Sequence, residues 1–304
     1  MNKTIMITGA NAGIGKETAR QLAMLKDTEK IYLACRSKTK AIAAMKELEA
    51  ETGKQIFKIV EMDVSDIQSV RNSLSSIESI DALIMNAGGN GSKTPKKVTR
   101  DGVTQIFATN SLGHIVLLDE LLKTNKLQKV ALYAGSEAAR GIPMMGIKRP
   151  NLKTSSVEEF TSICDGTYFN KHAQVTDLYA LVKYTTTMCL MATARQYPKI
   201  RIITMSPGGT IGTEIATESP IVIKAIWKMM VPIMYSLGLM HKVDVAAKRY
   251  VDGISNESYK SGVFYGSKNT MPVGDVVDQS VFMKEFKNVA FQDNAYKAIH
   301  RFIK

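Results

Sequence analysis

Short apolar runs alternate with segments of helical periodicity along most of the chain, and this alternation restricts the fold more than any other feature. Strands that alternate with helices predict βαβ units, a parallel sheet and right-handed crossovers. The apolar runs are nearly continuous, as expected for parallel strands buried on both faces. The predicted strands are Thr4–Thr8, Lys30–Arg36, Gln55–Asp63, Ala82–Asn86, Lys129–Ala134, Ile200–Met205 and Gly262–Tyr265.

Helical spacing fills the intervals between these strands. The clearest helical segments are Thr39–Glu51, Asp66–Ser79 and Gln105–Leu122. The tail Asp275–Lys304 also places its apolar side chains at helical spacing, so it is predicted to be helical. The segment Glu137–Gln174 interrupts the alternation because it is rich in Pro, Gly, Ser and charge, and it is predicted to be a surface insertion.

The stretch TGANAGIGKE, residues 8–17, follows the first predicted strand and opens the first helix. Glycines in such a turn allow a tight bend, a close approach of backbone to a pyrophosphate, and contact between helix and strand. The helix N-terminus adds free N–H groups and a positive dipole end. The spacing is G-x-x-x-G-x-G, so the turn alone indicates a phosphate site but does not establish a dinucleotide. The candidate contacts are Gly9, Asn11, Gly13, Ile14 and Gly15.

The end of the second strand indicates which dinucleotide would bind. An acidic residue there would bind the ribose 2′-hydroxyl of NAD, but this chain has Arg36 followed by Ser37. A guanidinium matches a 2′-phosphate, so NADP(H) is predicted in preference to NAD(H). The alternative interpretation is a solvated basic turn.

The third strand ends in EMDVSD, which contains further candidate contacts. Asp63 is placed to meet the adenine edge of a dinucleotide, with Val64 beside it. The alternative role for Asp63 is to cap the following helix, which Ser65 could also do.

Six short motifs lie between Thr4 and about Ser267. They are TGANAGIG (8–15), NAG (86–88), FATNSLGH (107–114), GS (135–136), YALVK (179–183) and SPGG (206–209). In this order they resemble the short-chain dehydrogenase/reductase family, and ACRS, DGVTQIFATNSLGH and a long segment before the tyrosine motif resemble its retinol dehydrogenase and protochlorophyllide reductase branch. The resemblance implies one Rossmann-like α/β/α domain over residues 1–304, doubly wound, with about seven parallel strands in the order 3-2-1-4-5-6-7.

Tyr179 and Lys183 lie four residues apart, so they share one face of a predicted helix. A nearby ammonium favours phenolate, so we expect the pKa of Tyr179 to fall towards neutrality, as proton transfer to a carbonyl oxygen requires. The resemblance implies that Lys183 also binds the nicotinamide ribose, that Ser136 holds the substrate oxygen, and that Asn110 anchors a relay water. His114, one turn after Asn110, is interpreted as polar support rather than as a catalyst.

The remaining cofactor contacts are also implied by the resemblance, with two departures from the family pattern. First, 43 positions separate Ser136 from Tyr179, where the family has about a dozen residues, so an insertion at about 137–175 must loop out and return. Second, the position that usually holds a branched apolar residue is Thr210. The implied contacts are Asn86, Ala87, Gly88, Tyr179, Lys183, Pro207, Gly208 and Thr210.

The apolar stretch Ile221–Met240 has the length of a membrane span. Lys224, Lys228 and Pro232 argue against a span, and the resemblance implies a substrate lid at about 211–242. An apolar lid predicts a lipophilic small-molecule substrate. Its two lysines, one turn apart, also suit peripheral contact with a membrane through residues 221–240.

The composition limits the classes of partner. The net charge is +12, but the lysines are dispersed and no basic stripe with interleaved aromatics is present, so no nucleic-acid partner is expected. The three cysteines have no metal-ligand spacing, so we expect reduced thiols and no metal site. The chain enters a strand at once without a signal peptide, which predicts a cytoplasmic protein, with membrane association left open.

These features predict an NADP(H)-dependent oxidoreductase that transfers a hydride between nicotinamide and a carbonyl or alcohol. Two alternatives stay open at this point. One is a C=C reductase of the protochlorophyllide type, and the other is a catalytically silent NADP-binding regulatory protein. The resemblance also implies a homodimer through the helices that carry Asn110 and Tyr179, unless the insertion interferes.

Overall fold

The first half of the chain follows the expected alternation of strand and helix. The structure is a computed structural model that describes residues 2–89, 94–170, 172–211, 231–232, 234–268 and 271–304. In order, the elements are β1 Thr4–Thr8, α1 Gly13–Ala23, β2 Lys30–Cys35, α2 Lys38–Thr52, β3 Phe57–Glu61, α3 Ile67–Ser73, β4 Ile80–Met85, α4 Gln105–Phe107, a π-helical turn Ala108–Leu112, α5 Gly113–Lys123 and β5 Leu127–Ala134.

The second half adds an insertion and a C-terminal extension to this pattern. After β5 come 3₁₀ turns Glu137–Arg140 and Pro143–Met145, α6 Val157–Asp165, α7 Val175–Gln196, β6 Arg201–Met205, α8 Val243–Ser255, β7 Phe264–Ser267, β8 Val276–Asp278, 3₁₀ turns Gln279–Val281 and Lys284–Lys287, and α9 Val289–His300.

The strands form an eight-stranded sheet in the order β3-β2-β1-β4-β5-β6-β7-β8. The order predicted for the first seven strands is confirmed, and these strands pair in parallel. The order reverses between β1 and β4, where Ile7 lies opposite Ile84. Ligands of open α/β sheets bind at the carboxyl ends of the strands beside such a reversal. The fold therefore directs a site to the residues that follow β1, β4 and β5.

The tail differs from its prediction. Only α9 is a regular helix there, and β8 pairs antiparallel with β7, with Tyr265 opposite Asp278. Val276 and Val277 are β-branched and meet the unpaired edge of β7, so hydrogen bonding to that edge outweighs the helical spacing.

The sequence predicted that the insertion lies on the surface, but the structure buries part of it. Phe160 and Ile163 of α6 are completely buried, in a cluster with Tyr184 of α7 and Phe286 of the tail. The helix α9 packs along α7 and α6, and His300 contacts Asp119 of α5 with 2.9 Å between Nε2 and Oδ2. The insertion and the tail thus cover the outer side of α7 within one protomer.

Within the described ranges, no helix is long and apolar enough to cross a membrane. The lid predicted at 211–242 lies largely outside those ranges, as do Lys224 and Lys228.

Ile299 anchors α9 to the core, because its side chain is fully buried in the cluster beneath α5 and α7. We expect Ile299→Ala to lower the free energy of unfolding by about 2–5 kcal/mol through lost burial and the cavity left behind. Urea denaturation measures this change. Ile303→Ala, at a partly buried position beyond α9, is the matched control and should cost clearly less. An equal decrease in the free energy of unfolding for both variants would show that burial of Ile299 does not anchor α9.

Candidate active site

The glycine turn forms a concave backbone surface between β1 and α1. A Cβ at Gly15 would lie 2.4 Å from the carbonyl oxygen of Gly9, so no side chain fits there. The first residues of α1 have no side-chain cap and no acidic residue in the first turn. Their N–H groups are therefore available to an anion such as a phosphate.

The other turn residues attach this surface to its surroundings. The backbone N–H of Gly9 donates a hydrogen bond to the carbonyl of Ala34 in β2 at 2.8 Å. Gly13 begins α1, and Ile14 packs against the core cluster on that side of the sheet. The turn is thus held against β2.

Thr8 joins β1 to β4 at the point where the strand order reverses. Its hydroxyl oxygen accepts hydrogen bonds from the backbone N–H groups of Asn86 and Ala87, both at 2.9 Å, and lies 3.1 Å from Nε2 of His114. Because both lone pairs are used, the Thr8 proton is donated to Nε2, and the His114 proton resides on Nδ1. The side chain of Asn86 completes the connection by donating to the Thr8 carbonyl at 2.9 Å.

His114 is completely buried, and burial lowers its pKa to about 3, with a further contribution from the charge of Lys183. The imidazole is therefore neutral at physiological pH. It supports Thr8 and lies beneath the site, in agreement with its interpretation as polar support.

Asn110 lies in the π-helical turn and binds the backbone after β4. Its amide donates to the carbonyl of Gly89 at 2.8 Å and its side-chain oxygen accepts from the Gly89 N–H at 2.9 Å. A Cβ at Gly88 would lie 2.5 Å from that oxygen, so the close contact requires glycine. The backbone carbonyl of Asn110, the expected anchor of a relay water, accepts a hydrogen bond from the hydroxyl of Tyr133 at 2.7 Å.

Lys183 is buried on α7 and reaches the carboxyl end of β5. Its ammonium donates to the carbonyl of Ala134 at 2.9 Å and lies 4.6 Å from the ring centroid of Tyr133 and 5.5 Å from that of Tyr179. Burial lowers the pKa of Lys183 to about 7. The ammonium therefore loses its proton far more readily than an exposed lysine does.

Tyr179 and Ser136 meet despite their separation in sequence. The Ser136 hydroxyl lies near enough to Tyr179 to lower the pKa of that phenol, and it accepts a hydrogen bond from the Ala138 N–H at 3.2 Å. Burial raises the pKa of Tyr179 to about 12; the nearby Ser136 hydroxyl acts in the opposite direction, and the charge of Glu137 raises it further. In the chain by itself the pKa therefore lies above its ordinary value, opposite to the expected fall towards neutrality, because burial disfavours the phenolate.

Comparison with known proteins shows similarity to short-chain dehydrogenases, whose family model matches residues 3–131. Human retinol dehydrogenase 11 is 38% identical over 128 residues, which cover 41% of this chain and 39% of that protein. A short-chain dehydrogenase of Penicillium roqueforti, anuI, is 35% identical over 147 residues, covering 47% of this chain and 58% of that protein. This similarity covers residues 3–131 and therefore less than half of the chain. The chain spans about two fifths of the length of the retinol dehydrogenases that it matches.

Solved structures share the fold of this chain at low sequence identity. Levodione reductase has a TM-score of 0.63 and 18% identity, covering 86% of this chain and 94% of that one. The NADPH-bound carbonyl reductase from chicken fatty liver has a TM-score of 0.58 and 18% identity, covering 90% and 99%.

The residues expected to surround the adenosine end of a dinucleotide differ in their exposure and in their hydrogen-bond partners. Arg36 is exposed directly after β2, and the Ser37 hydroxyl caps α2 by accepting from the Lys40 N–H at 3.4 Å. The carboxylate of Asp63 accepts from the N–H and hydroxyl of Ser65 at 2.9 and 2.7 Å. Neither residue caps α3, and Val64 is buried beside them.

The cap of α3 belongs to Asp66, which accepts from two N–H groups of the helix. Asp66 stands one residue before the first helical turn, whereas Asp63 and Ser65 form a tight turn of their own. The carboxylate of Asp63 therefore stays at the end of β3, where a cofactor contact was expected.

The loop after β6 carries Pro207, Gly208 and Thr210. Nε2 of His241 is 2.8 Å from the Pro207 carbonyl oxygen, and the hydroxyl of Thr210 donates to the Gly208 carbonyl at 3.0 Å. Thr210 also pairs with His241 in an isolated parallel bridge. The loop is therefore ordered by its own contacts at the carboxyl edge of the sheet.

Sequence reasoning missed several residues of this region. Tyr133 was part of a predicted strand only, although an aromatic hydroxyl in a buried strand needs a partner. Glu137 could have been noticed as an acidic residue directly after Ser136. No signal marks Arg249 of α8, because its contacts come from distant parts of the chain.

The lowered pKa of Lys183 predicts a pH-dependent contribution to stability. Its folded pKa of about 7 lies below the unfolded value of 10.5, so the unfolded state binds more protons between these pH values. The free energy of unfolding should therefore rise with pH across this range, by at most about 1.4 kcal/mol per unit. Urea denaturation between pH 7 and 9.5 should show this rise in the wild type and a smaller one in Lys183→Met. Parallel curves would contradict the buried, shifted ammonium.

Proposed function

We propose that this chain is a short-chain dehydrogenase/reductase, an NADP(H)-dependent oxidoreductase that interconverts a carbonyl and an alcohol. The observation that carries the proposal is the buried ammonium of Lys183, which lies 5.5 Å from the ring centroid of Tyr179, with Ser136 near enough to that phenol to lower its pKa. These groups lie at the carboxyl end of β5, on the edge of the sheet that also carries the glycine turn.

The residues of the glycine turn fit a dinucleotide. The uncapped start of α1 offers N–H groups to a pyrophosphate, and the backbone leaves no room for a side chain at Gly15. Arg36 supplies a guanidinium suited to a 2′-phosphate. A structural neighbour is described as complexed with NADP and another with NADH, so both nucleotides belong in the test.

A bound nicotinamide would supply the reducing equivalents, and the chain would supply the proton. Tyr179 is protonated at neutral pH because its pKa is about 12, so it suits the role of proton donor to a carbonyl oxygen. Ser136 would donate a hydrogen bond to the same oxygen and orient it. Lys183 would stabilise the phenolate left behind and bind ribose hydroxyls.

Replacing Tyr179 with Phe removes the proposed proton donor without changing the shape of the ring. We expect turnover to fall by at least about 100-fold while NADPH affinity changes little. NADPH oxidation with a panel of carbonyl compounds measures turnover, and titration calorimetry measures affinity. Tyr184→Phe, one turn further along α7 and buried in another cluster, is the matched control and should stay active. Undiminished turnover in Tyr179→Phe would refute the mechanism.

The nucleotide preference depends on Arg36. Arg36→Ala should weaken NADPH binding by about tenfold to a hundredfold, because charge-assisted bonds to the phosphate are lost, and should leave NADH binding unchanged. Titration calorimetry with both nucleotides tests this expectation. Lys40→Ala, at another exposed cation of the same region, is the control. A similar loss for both nucleotides would exclude a 2′-phosphate contact.

We further propose a lipophilic substrate. Support comes from the names of the relatives, which are retinol dehydrogenases, and from the exposed apolar side chains of Met144 and Leu237. Met144 lies soon after Ser136, and Leu237 lies in the segment that the sequence predicts to be a lid. Retinaldehyde and a long-chain aldehyde should therefore be better substrates than a small polar ketone.

The segment 221–240 would also make any peripheral membrane contact.

Two outcomes would favour other functions. Tight NADPH binding without turnover of any carbonyl or conjugated alkene would favour a silent regulatory protein. Turnover of a conjugated alkene alone would favour a C=C reductase.

A homodimer would have to use a surface other than the outer side of α7, because α6 and α9 cover it.

A further inference from the structure

A buried charged network begins at Glu137, the residue directly after Ser136. One carboxylate oxygen accepts from the N–H and the hydroxyl of Ser267 at 3.1 and 2.9 Å and lies 3.6 Å from Nη1 of Arg249. The other oxygen accepts from the hydroxyl of Ser206. The carboxylate thus connects the end of β5 to the ends of β6 and β7.

Arg249 extends this network from α8. Its guanidinium donates to the Ser267 hydroxyl at 3.1 Å, to the Ser206 carbonyl at 3.3 Å and to the Gly274 carbonyl at 2.8 Å. Both charged side chains are buried. Each charge is therefore compensated by its partner and by several hydrogen bonds, as a buried ion pair requires.

The same network reaches the loop after β6. The Ser206 hydroxyl, which donates to Glu137, accepts a hydrogen bond from the Gly208 N–H at 3.2 Å. A continuous path of contacts therefore runs from the residue beside Ser136 to the loop that is expected to border the nicotinamide.

Separating these groups is costly. An unpaired carboxylate or guanidinium at this depth costs several kcal/mol, so alternative arrangements of the two loops are strongly disfavoured. A network of this kind contributes little net stability compared with apolar side chains, but it restricts the geometry of the groups attached to it.

We infer that Glu137, held by Arg249, is a positioning residue that fixes Ser136 relative to the Ser206–Thr210 loop. It does not touch the substrate oxygen; it acts through Ser136 on one side and through Ser206 on the other. The inference rests on the proposed function, since it assigns Ser136 to the substrate oxygen and the loop to the nicotinamide.

A double-mutant cycle tests whether Glu137 acts through Ser136. Glu137→Gln keeps the size of the side chain and removes the charge, and it should lower kcat by about tenfold to a hundredfold, as expected for a misplaced catalytic group. In a Ser136→Ala background the same change should lower kcat by less than about twofold, because the group being positioned is already gone. Equal losses in both backgrounds would overturn the inference.

The control separates positioning from general destabilisation. Asp119 is also a buried carboxylate, paired with His300 at the opposite end of α5 from the site. Asp119→Asn should reduce stability but leave kcat unchanged at temperatures where the protein is folded. If Glu137→Gln does not fold, Ser267→Ala removes one hydroxyl shared by Glu137 and Arg249 and should show the same dependence on Ser136.

A second measurement does not depend on turnover. Hydrogen–deuterium exchange at the Gly208 amide should be faster in Glu137→Gln than in the wild type, with no change in Asp119→Asn. Unchanged exchange at Gly208 would overturn the inference. A wild type that oxidises no NADPH with any substrate would refute the proposed function, while the exchange result would still decide whether Glu137 orders the loop.

Discussion

The reversal of strand order between β1 and β4 is the constraint on which the rest of the site depends. The chain continues in opposite directions after these two strands, and in open α/β sheets this leaves a crevice at their carboxyl ends. Thr8 connects the two strand ends at this point through its hydrogen bonds with Asn86, Ala87 and His114. The glycine turn, the Gly88–Gly89 backbone and the end of β5 all border this crevice. The strand order brings these segments to the same edge of the sheet, and side-chain hydrogen bonds fix the distances between them.

Burial sets the chemistry of the groups at this edge. It lowers the pKa of Lys183 to about 7 and raises that of Tyr179 to about 12, so it disfavours the charged form of each. Glu137 is buried as well, and its carboxylate is surrounded by Arg249 and by three hydrogen-bond donors. The site therefore combines Tyr179 and Lys183, whose charged forms are disfavoured, with the Glu137–Arg249 ion pair, which restricts the position of the neighbouring loops.

Much of this arrangement was predictable. The parallel sheet follows from the alternation of strands and helices, its strand order was implied by the family resemblance, and the shared face of Tyr179 and Lys183 follows from their spacing of four. The errors have physical causes: β8 forms because β7 offers an unpaired edge, and α3 is capped by Asp66 because the chain turns at Asp63 first. The insertion is partly buried because α7 and the tail offer it an apolar surface, which no local pattern reveals.

The sequence by itself determined the α/β class, the glycine turn and the candidate residues Tyr179 and Lys183 on one helical face, because these depend on periodicity and on contacts between near neighbours. Only the tertiary structure decided that Ser136 meets Tyr179 across 43 positions, that Tyr133 binds the Asn110 carbonyl, and that Glu137 pairs with Arg249. Such contacts join segments far apart in the chain. Their formation depends on the packing of whole elements, which local residue patterns do not encode.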